Sequence, residues 1–371
     1  MFRAQFSAGY ASPIATLAIE TNPLETSMRR TTAAMTTKRE LPWRRGAVVV
    51  GALLALQGAP AWASTTILFI GNSFTYGDPA GAAPDVMYYK PGTVTDLNGL
   101  GIGGVPALFK QMTVDRGLDY SVSLETEPGS NLDFHYNNRL ALIDKPWDHV
   151  VMHGQSNLDF ANPGDPTKIS TYTALLGSVF QAQNPNVDIS LTATWSRANL
   201  TYQPACNGLN PPSPWCGGSI FQMGLDVMAG YQVAAANNPS IVSRVNPVGL
   251  AWNFAIAAGF ADANPYDGIT AGQVNLWAPD NYHASNYGYY LHALIDFGQI
   301  TGQNPTVLGF DTAAMDLGFT AEQAAKMQGF AAAAIAAAVP EPSAYLMLVL
   351  GGGVVGWAAR RRRTNAPAAS A

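Results

Sequence analysis

The chain predicts an α/β domain in which a parallel sheet is covered by helices on both faces. Two observations carry this expectation. Short apolar, β-branched runs alternate with longer helical stretches through the middle of the sequence, a rhythm that sets strands side by side in parallel with helices crossing between them. The first such run, Ile67 to Ile70, drives straight into Gly71-Asn72-Ser73, which is how a buried parallel strand ends when it must present a side chain beyond the sheet edge.

The elements follow in order. Residues 1 to 34 show no clear period; from Met35 a basic region (Lys38, Arg39, Arg44, Arg45), an apolar core from Gly46 to Leu56 and the small-x-small run Ala61-Trp62-Ala63 succeed one another before Ser64. That is the layout of a secretory signal with its cleavage site, with the start expected at Met28 or Met35. Its apolar core is well short of the roughly 20 residues that span a bilayer. After strand 67–70 comes a Gly- and Pro-rich insertion, 78–104, then a helix over 105–116, a strand over 119–125, the loop Glu127 to Asn131 and a helix over 132–143. A third strand, 149–152, ends at His153-Gly154-Gln155-Ser156-Asn157. A helix over 169–183, a fourth strand over 187–194, a cysteine-bearing loop, a helix over 220–237, a short fifth strand over 242–248 and a helix over 250–259 continue the alternation. Asp280-Asn281-Tyr282-His283 then opens a helix over 284–301. The last helix, 321–338, has Thr320 and Gln323 spaced as a capping box.

At the far end, Val339-Pro340-Glu341-Pro342-Ser343 precedes the apolar run Ala344 to Ala359 and the cluster Arg360 to Arg363. Physically these are a helix breaker, a marginal membrane helix and a basic group held on the cytoplasmic side. In this order they resemble the PEP-CTERM sorting signal of Gram-negative bacteria. The resemblance implies transient membrane insertion through the C-terminal helix, removal of the tail by an exosortase as signal peptidase removes the leader, and a final location at the cell surface or outside it, often beside exported polysaccharide. The expected organisation is therefore 1–63 extension and secretory signal, 64–338 folded domain, 339–363 sorting signal and 364–371 tail.

Between Ser64 and Val339 the chain has 9 Lys and Arg against 21 Asp and Glu, a net charge of −12. Nucleic acid is excluded as a partner on this ground, because binding it requires a basic surface that releases counterions. Cys206 and Cys216 lie close together in a Pro-, Gly- and Asn-rich loop. In an oxidising compartment such a pair is expected as a disulfide stapling the loop from Tyr202 to Gly218.

Ser73 is the candidate nucleophile. A serine hydroxyl needs a positioned base, and the base needs an orienting acid; His283 and Asp280, three apart, supply both. In an open α/β sheet, ligands sit beyond the carboxyl ends of the strands, where the loops carrying Ser73, Gly129 and Gln155 converge. The backbone N–H groups of Ser73 and Gly129 and the Gln155 amide would form an oxyanion hole for acyl transfer.

These blocks resemble the SGNH (GDSL-like) hydrolase family: Gly71-Asn72-Ser73-Phe74-Thr75 its first block, Gly129 its second, 154–157 its third and Asp280-x-x-His283 its last. The resemblance covers about Thr65 to Thr301. It implies a three-layer α/β/α sandwich of flavodoxin-like form with a five-stranded parallel sheet, and a serine esterase mechanism with no metal or cofactor. Two positions depart from the family pattern. Asn72 stands where Asp is usual, and Ser156 stands where the third block carries Asn, which leaves Gln155 or Asn157 as the amide donor. The same segment resembles the nucleophile block of sialate O-acetylesterase-like relatives, making Ser156 a rival to Ser73. The expected substrates are esters, either acetyl and short acyl groups on extracellular polysaccharide or small acyl and lipid esters. The alternative is a non-catalytic surface or matrix protein that binds glycan on a hydrolase fold.

The remaining signals are bland. His135 and His292 fall on helices as packing or surface residues, with His135 near enough to the Gly129 loop to reach a substrate. Trp195, Trp215, Trp252 and Trp277 are expected in the core, Trp277 alone being placed to flank the site. No H-E-x-x-H or Cys/His cluster suggests a metal.

Overall fold

The computed structural model describes residues 64–78 and 85–338. The secretory signal, the membrane helix expected at 344–359 and the arginine cluster lie outside the described residues. Among the described residues no helix is long and apolar enough to cross a membrane.

Six strands form one sheet: β1 (Thr65–Gly71), β2 (Thr95–Asp96), β3 (Tyr120–Thr126), β4 (His149–Met152), β5 (Asp188–Ala193) and β6 (Val242–Pro247). Their order is β2-β3-β1-β4-β5-β6 and every pairing is parallel. The five strands expected from the sequence therefore run β3-β1-β4-β5-β6, the flavodoxin-like order. The sixth is a correction to the count of five. Two residues inside the 78–104 insertion, Thr95 and Asp96, pair with Ser123 and Leu124 and cover the outer edge of β3, which an unpaired strand edge otherwise leaves open to other chains.

The helices are α1 (Ser73–Tyr76), α2 (Gly104–Asp115), α3 (Leu132–Asn138), α4 (Leu140–Ile143), α5 (Thr167–Gln183), α6 (Ala198–Thr201), α7 (Ile220–Ala236), α8 (Val248–Ala257), α9 (Asn286–Thr301), α10 (Thr312–Asp316) and α11 (Ala321–Ala338). Side chains alternate between the two faces of a strand, and β1 shows the consequence. Ile67 and Phe69 enter one core with residues of α2, α8, α9 and α11. Leu68 and Ile70 enter the other with residues of α5 and α7. Three layers result, with the sheet between. The continuous helix expected over 132–143 is broken at Arg139, which leaves helical geometry (φ −127°) to set its guanidinium between Glu127 and the buried Glu125. The capping box forms as expected: Thr320 Oγ1 accepts from Gln323 N at 3.1 Å while Gln323 Oε1 accepts from Thr320 N at 2.9 Å. Cys206 and Cys216 are joined as a disulfide.

Behind the site runs a ladder of aromatic rings. Trp195 stacks on Phe74 with centroids 4.0 Å apart and on Trp252 at 4.9 Å, and Trp252 meets Trp277 edge-on at 5.3 Å. All four tryptophans named from the sequence are buried. Trp277 thus belongs to the core and donates its indole N–H to Ser196 O; it does not flank the site as a platform. Because Trp195 supports the segment after β1, truncating it removes packing that no neighbour can replace. Urea denaturation of Trp195→Ala is expected to show a loss of about 3 to 5 kcal/mol, against about 0.5 kcal/mol or less for Leu225→Ala on the exposed side of α7.

Candidate active site

The chain order reverses between β3-β1 and β1-β4, so the crevice beyond the carboxyl ends of β1 and β4 is where an open sheet accepts a ligand. Ser73 begins α1 directly after β1 and is buried. Its Oγ stands 2.9 Å from His283 Nε2, and His283 Nδ1 stands 2.6 Å from Asp280 Oδ2. An ionised Asp280 makes Nδ1 the N–H donor, so Nε2 carries the lone pair that accepts the serine hydroxyl. Burial pushes the Asp280 carboxyl up, but hydrogen bonds from the His283 ring and from the backbone N–H groups of Tyr282 and His283 outweigh it and hold the group below the usual carboxylate range. The 280–283 motif does not open a helix as expected. It lies in a tight turn with Asn281 in the left-handed region (φ +57°), and α9 starts only at Asn286. The reason is local: Asp280 Oδ1 takes the N–H groups of residues 282 and 283, folding the motif back on itself.

Asn72 joins the three loops. Its Nδ2 donates to Ser130 O at 2.9 Å and to Gly154 O at 3.1 Å, while its Oδ1 accepts from Phe74 N at 3.1 Å. One side chain thus ties the ends of β1, β3 and β4, and only an amide can do so, since a carboxylate has no hydrogens to donate. Gly71 just before it admits no side chain: a Cβ there would overlap His153 Nε2 and Thr75 Oγ1.

Gly129 sits at φ +67° with open space beside its Cα, so backbone conformation rather than crowding calls for glycine. Neither its N–H nor that of Ser73 donates a hydrogen bond to the described residues. Gln155 is engaged elsewhere: its Nε2 donates to Gly129 O at 2.9 Å and its Oε1 accepts from Phe160 N at 2.8 Å, so it braces the Gly129 loop. Asn157 is buried and its Oδ1 has no hydrogen-bond partner among the described residues. Ser156 has no imidazole beside it; its Oγ lies 3.4 Å from Arg197 Nη1.

Buried histidines underpin these loops. His135, expected as a packing residue within reach of a substrate, is fully buried between Ser130 Oγ and Glu125. His153 Nδ1 donates to Gly154 O at 2.8 Å, leaving Nε2 to accept from Thr75 Oγ1 at 2.6 Å. His292 Nδ1 donates to Phe74 O at 3.2 Å. Burial lowers His153 to about 4 and His292 to about 3, so both are neutral.

With this geometry in view, comparison adds the following. Residues 338–363 match the PEP-CTERM protein-sorting motif. No curated protein matches the chain in sequence. Solved structures similar to it include a DUF4886 family protein from Bacteroides uniformis ATCC 8492, at 15% identity over 73% of this chain and 94% of that one with a TM-score of 0.48. The psychrotrophic esterase EstA from Pseudoalteromonas sp. is similar at 13% identity over 64% and 97%, with a TM-score of 0.39. A carbohydrate esterase family 2 enzyme with a carbohydrate binding domain, from Corynascus thermopiles, is similar at 14% over 66% and 68%, with a TM-score of 0.36.

Asn72→Asp is expected to cost about 2 to 4 kcal/mol in chemical denaturation, and more at pH 8 than at pH 5, because only the ionised form turns a charge toward two carbonyls. The neutral histidines give a second expectation. Their folded-state values are depressed, so their contribution is present above the unfolded value near 6.5 and is lost as pH falls toward 4. Between pH 7 and pH 5 these two residues should together withdraw about 2 to 4 kcal/mol of stability, read as the difference in pH slope between the parent and its His153→Gln and His292→Gln variants in chemical denaturation.

Proposed function

We propose that the chain is a secreted serine esterase of the SGNH type, working through a covalent acyl-enzyme. The observation that carries this reading is the continuous line from Asp280 Oδ2 through His283 to Ser73 Oγ, with contacts of 2.6 and 2.9 Å. In the proposed reaction His283 Nε2 takes the proton as Ser73 Oγ attacks the ester carbonyl, Asp280 stabilises the imidazolium, and the alcohol leaves with that proton. Water, activated by the same imidazole, then releases the acid. The unpartnered N–H groups of Ser73 and Gly129 would hold the oxyanion, and the amide of Asn157 is the third donor we favour over the engaged Gln155.

Ser156 is a poor rival because it lacks a base within reach. The sorting motif at 338–363 supports export, processing by an exosortase and a final place at the cell surface or outside it. It also supports acyl groups on extracellular polysaccharide as the substrate.

Hydrolysis of 4-nitrophenyl acetate by the mature chain is the test. Ser73→Ala should lower kcat by about 10³-fold or more and Asp280→Asn by at least about 10²-fold, while Ser156→Ala keeps the same order of activity. Loss confined to Ser156→Ala would overturn the assignment, and no hydrolysis of acetyl or longer acyl esters by the parent would overturn the esterase reading.

A further inference from the structure

Beside the catalytic turn lies a cleft of about 340 Å³, and among the described residues its only charged lining residue is Arg197. Arg197 follows β5 and is 8% exposed, yet no carboxylate of the described residues lies within ion-pair distance. Its hydrogen bonds go to neutral groups: Nε to Asn199 Oδ1 at 3.2 Å and Nη1 to Ser156 Oγ at 3.4 Å. A buried guanidinium without a counter-ion is costly, and the esterase chemistry above makes no use of it.

The side chain is held in a fixed plane. Its Cζ lies 3.6 Å from the centroid of the Tyr282 ring and 5.9 Å from that of Phe160. The opposite neighbour of Tyr282 is the catalytic imidazole, with ring centroids 4.1 Å apart. One tyrosine ring thus separates the guanidinium from the catalytic base, so a group bound in the cleft is close to the ester being cleaved. Around Arg197 the cleft offers the amide of Asn210 and the partly exposed ring of Phe160, while the Ser213 hydroxyl is already engaged with Leu200 O. A planar fork reads a carboxylate through paired N–H groups. An amide suits sugar hydroxyls, and an open aromatic face suits a pyranose ring. Against the acidic balance of the body as a whole, the lining given by the described residues holds one cation and no acid, so the local charge in the cleft favours an anion.

We propose that this cleft binds the carboxylate of a hexuronate in the chain that carries the acyl group, so that the esterase prefers acidic polysaccharide. This rests on the esterase reading for the reaction but not for the binding, and the two are tested apart. Calorimetric titration of the mature chain with trigalacturonate, beside cellotriose as the neutral control, reads the cleft alone. Trigalacturonate should bind at least tenfold more tightly than cellotriose, and Arg197→Gln should remove that difference while its circular dichroism stays that of the parent. Phe160→Ala, at an exposed position, should weaken both sugars by a similar factor. Equal affinity for the two sugars, no binding of either, or an Arg197→Gln variant that keeps the preference would overturn the proposal. The 4-nitrophenyl acetate assay meanwhile reports on Ser73 independently, so a chain that binds trigalacturonate without hydrolysing esters sinks the esterase reading and leaves the cleft standing.

Discussion

The geometry of the whole site depends on one amide. Asn72 is the first position beyond β1 and the N-cap of α1, and its side chain spends both hydrogens on carbonyls of the loops after β3 and β4 while its oxygen caps α1. Three loops far apart in sequence are thereby fixed relative to the hydroxyl that follows. A preorganised site needs its groups held to within a fraction of an ångström, and loops alone do not provide that. The buried amide does so because each of its bonds is expensive to leave unmade.

Beneath it lie two fully buried imidazoles. His153 and His292 are kept neutral by burial, and each uses one ring nitrogen to hold a backbone carbonyl of the adjoining segment. His283, by contrast, lies near the surface between a carboxylate and a hydroxyl. Identical side chains thus meet different partners, and the described histidines divide on that basis.

Much of the fold was legible because hydrophobic period is a local signal. The five long strands and the helices over 167–183, 220–236 and 321–338 lie within a few residues of where the pattern put them. The two-residue strand at Thr95 has no period to read, and the break at Arg139 is imposed by two acids from other segments. The Ser73, His283 and Asp280 set could be picked out because Ser73 ends an apolar run and Asp280 and His283 stand three apart. Asn72 was visible only as an oddity, since its meaning lies in carbonyls 58 and 82 residues away. Arg197 gave one usable sign that went unread: it is one of 9 basic residues in an acidic body, at the carboxyl end of a strand. Gln155 illustrates the converse. Its residue type suited an oxyanion donor, but its amide is occupied in bracing the neighbouring loop.

The disulfide between Cys206 and Cys216 closes the loop that supplies Leu209, Asn210, Pro211 and Ser213 to one wall of the cleft. The residues of the hydroxyl, imidazole and carboxylate line belong to other segments and need no cysteine. A chain whose thiols stay reduced would therefore keep the Ser73, His283 and Asp280 line while the 206–216 loop lacks its covalent closure. Oxidation would then be what fixes the wall formed by residues 209–213, a step separate from the folding of the sheet that carries Ser73.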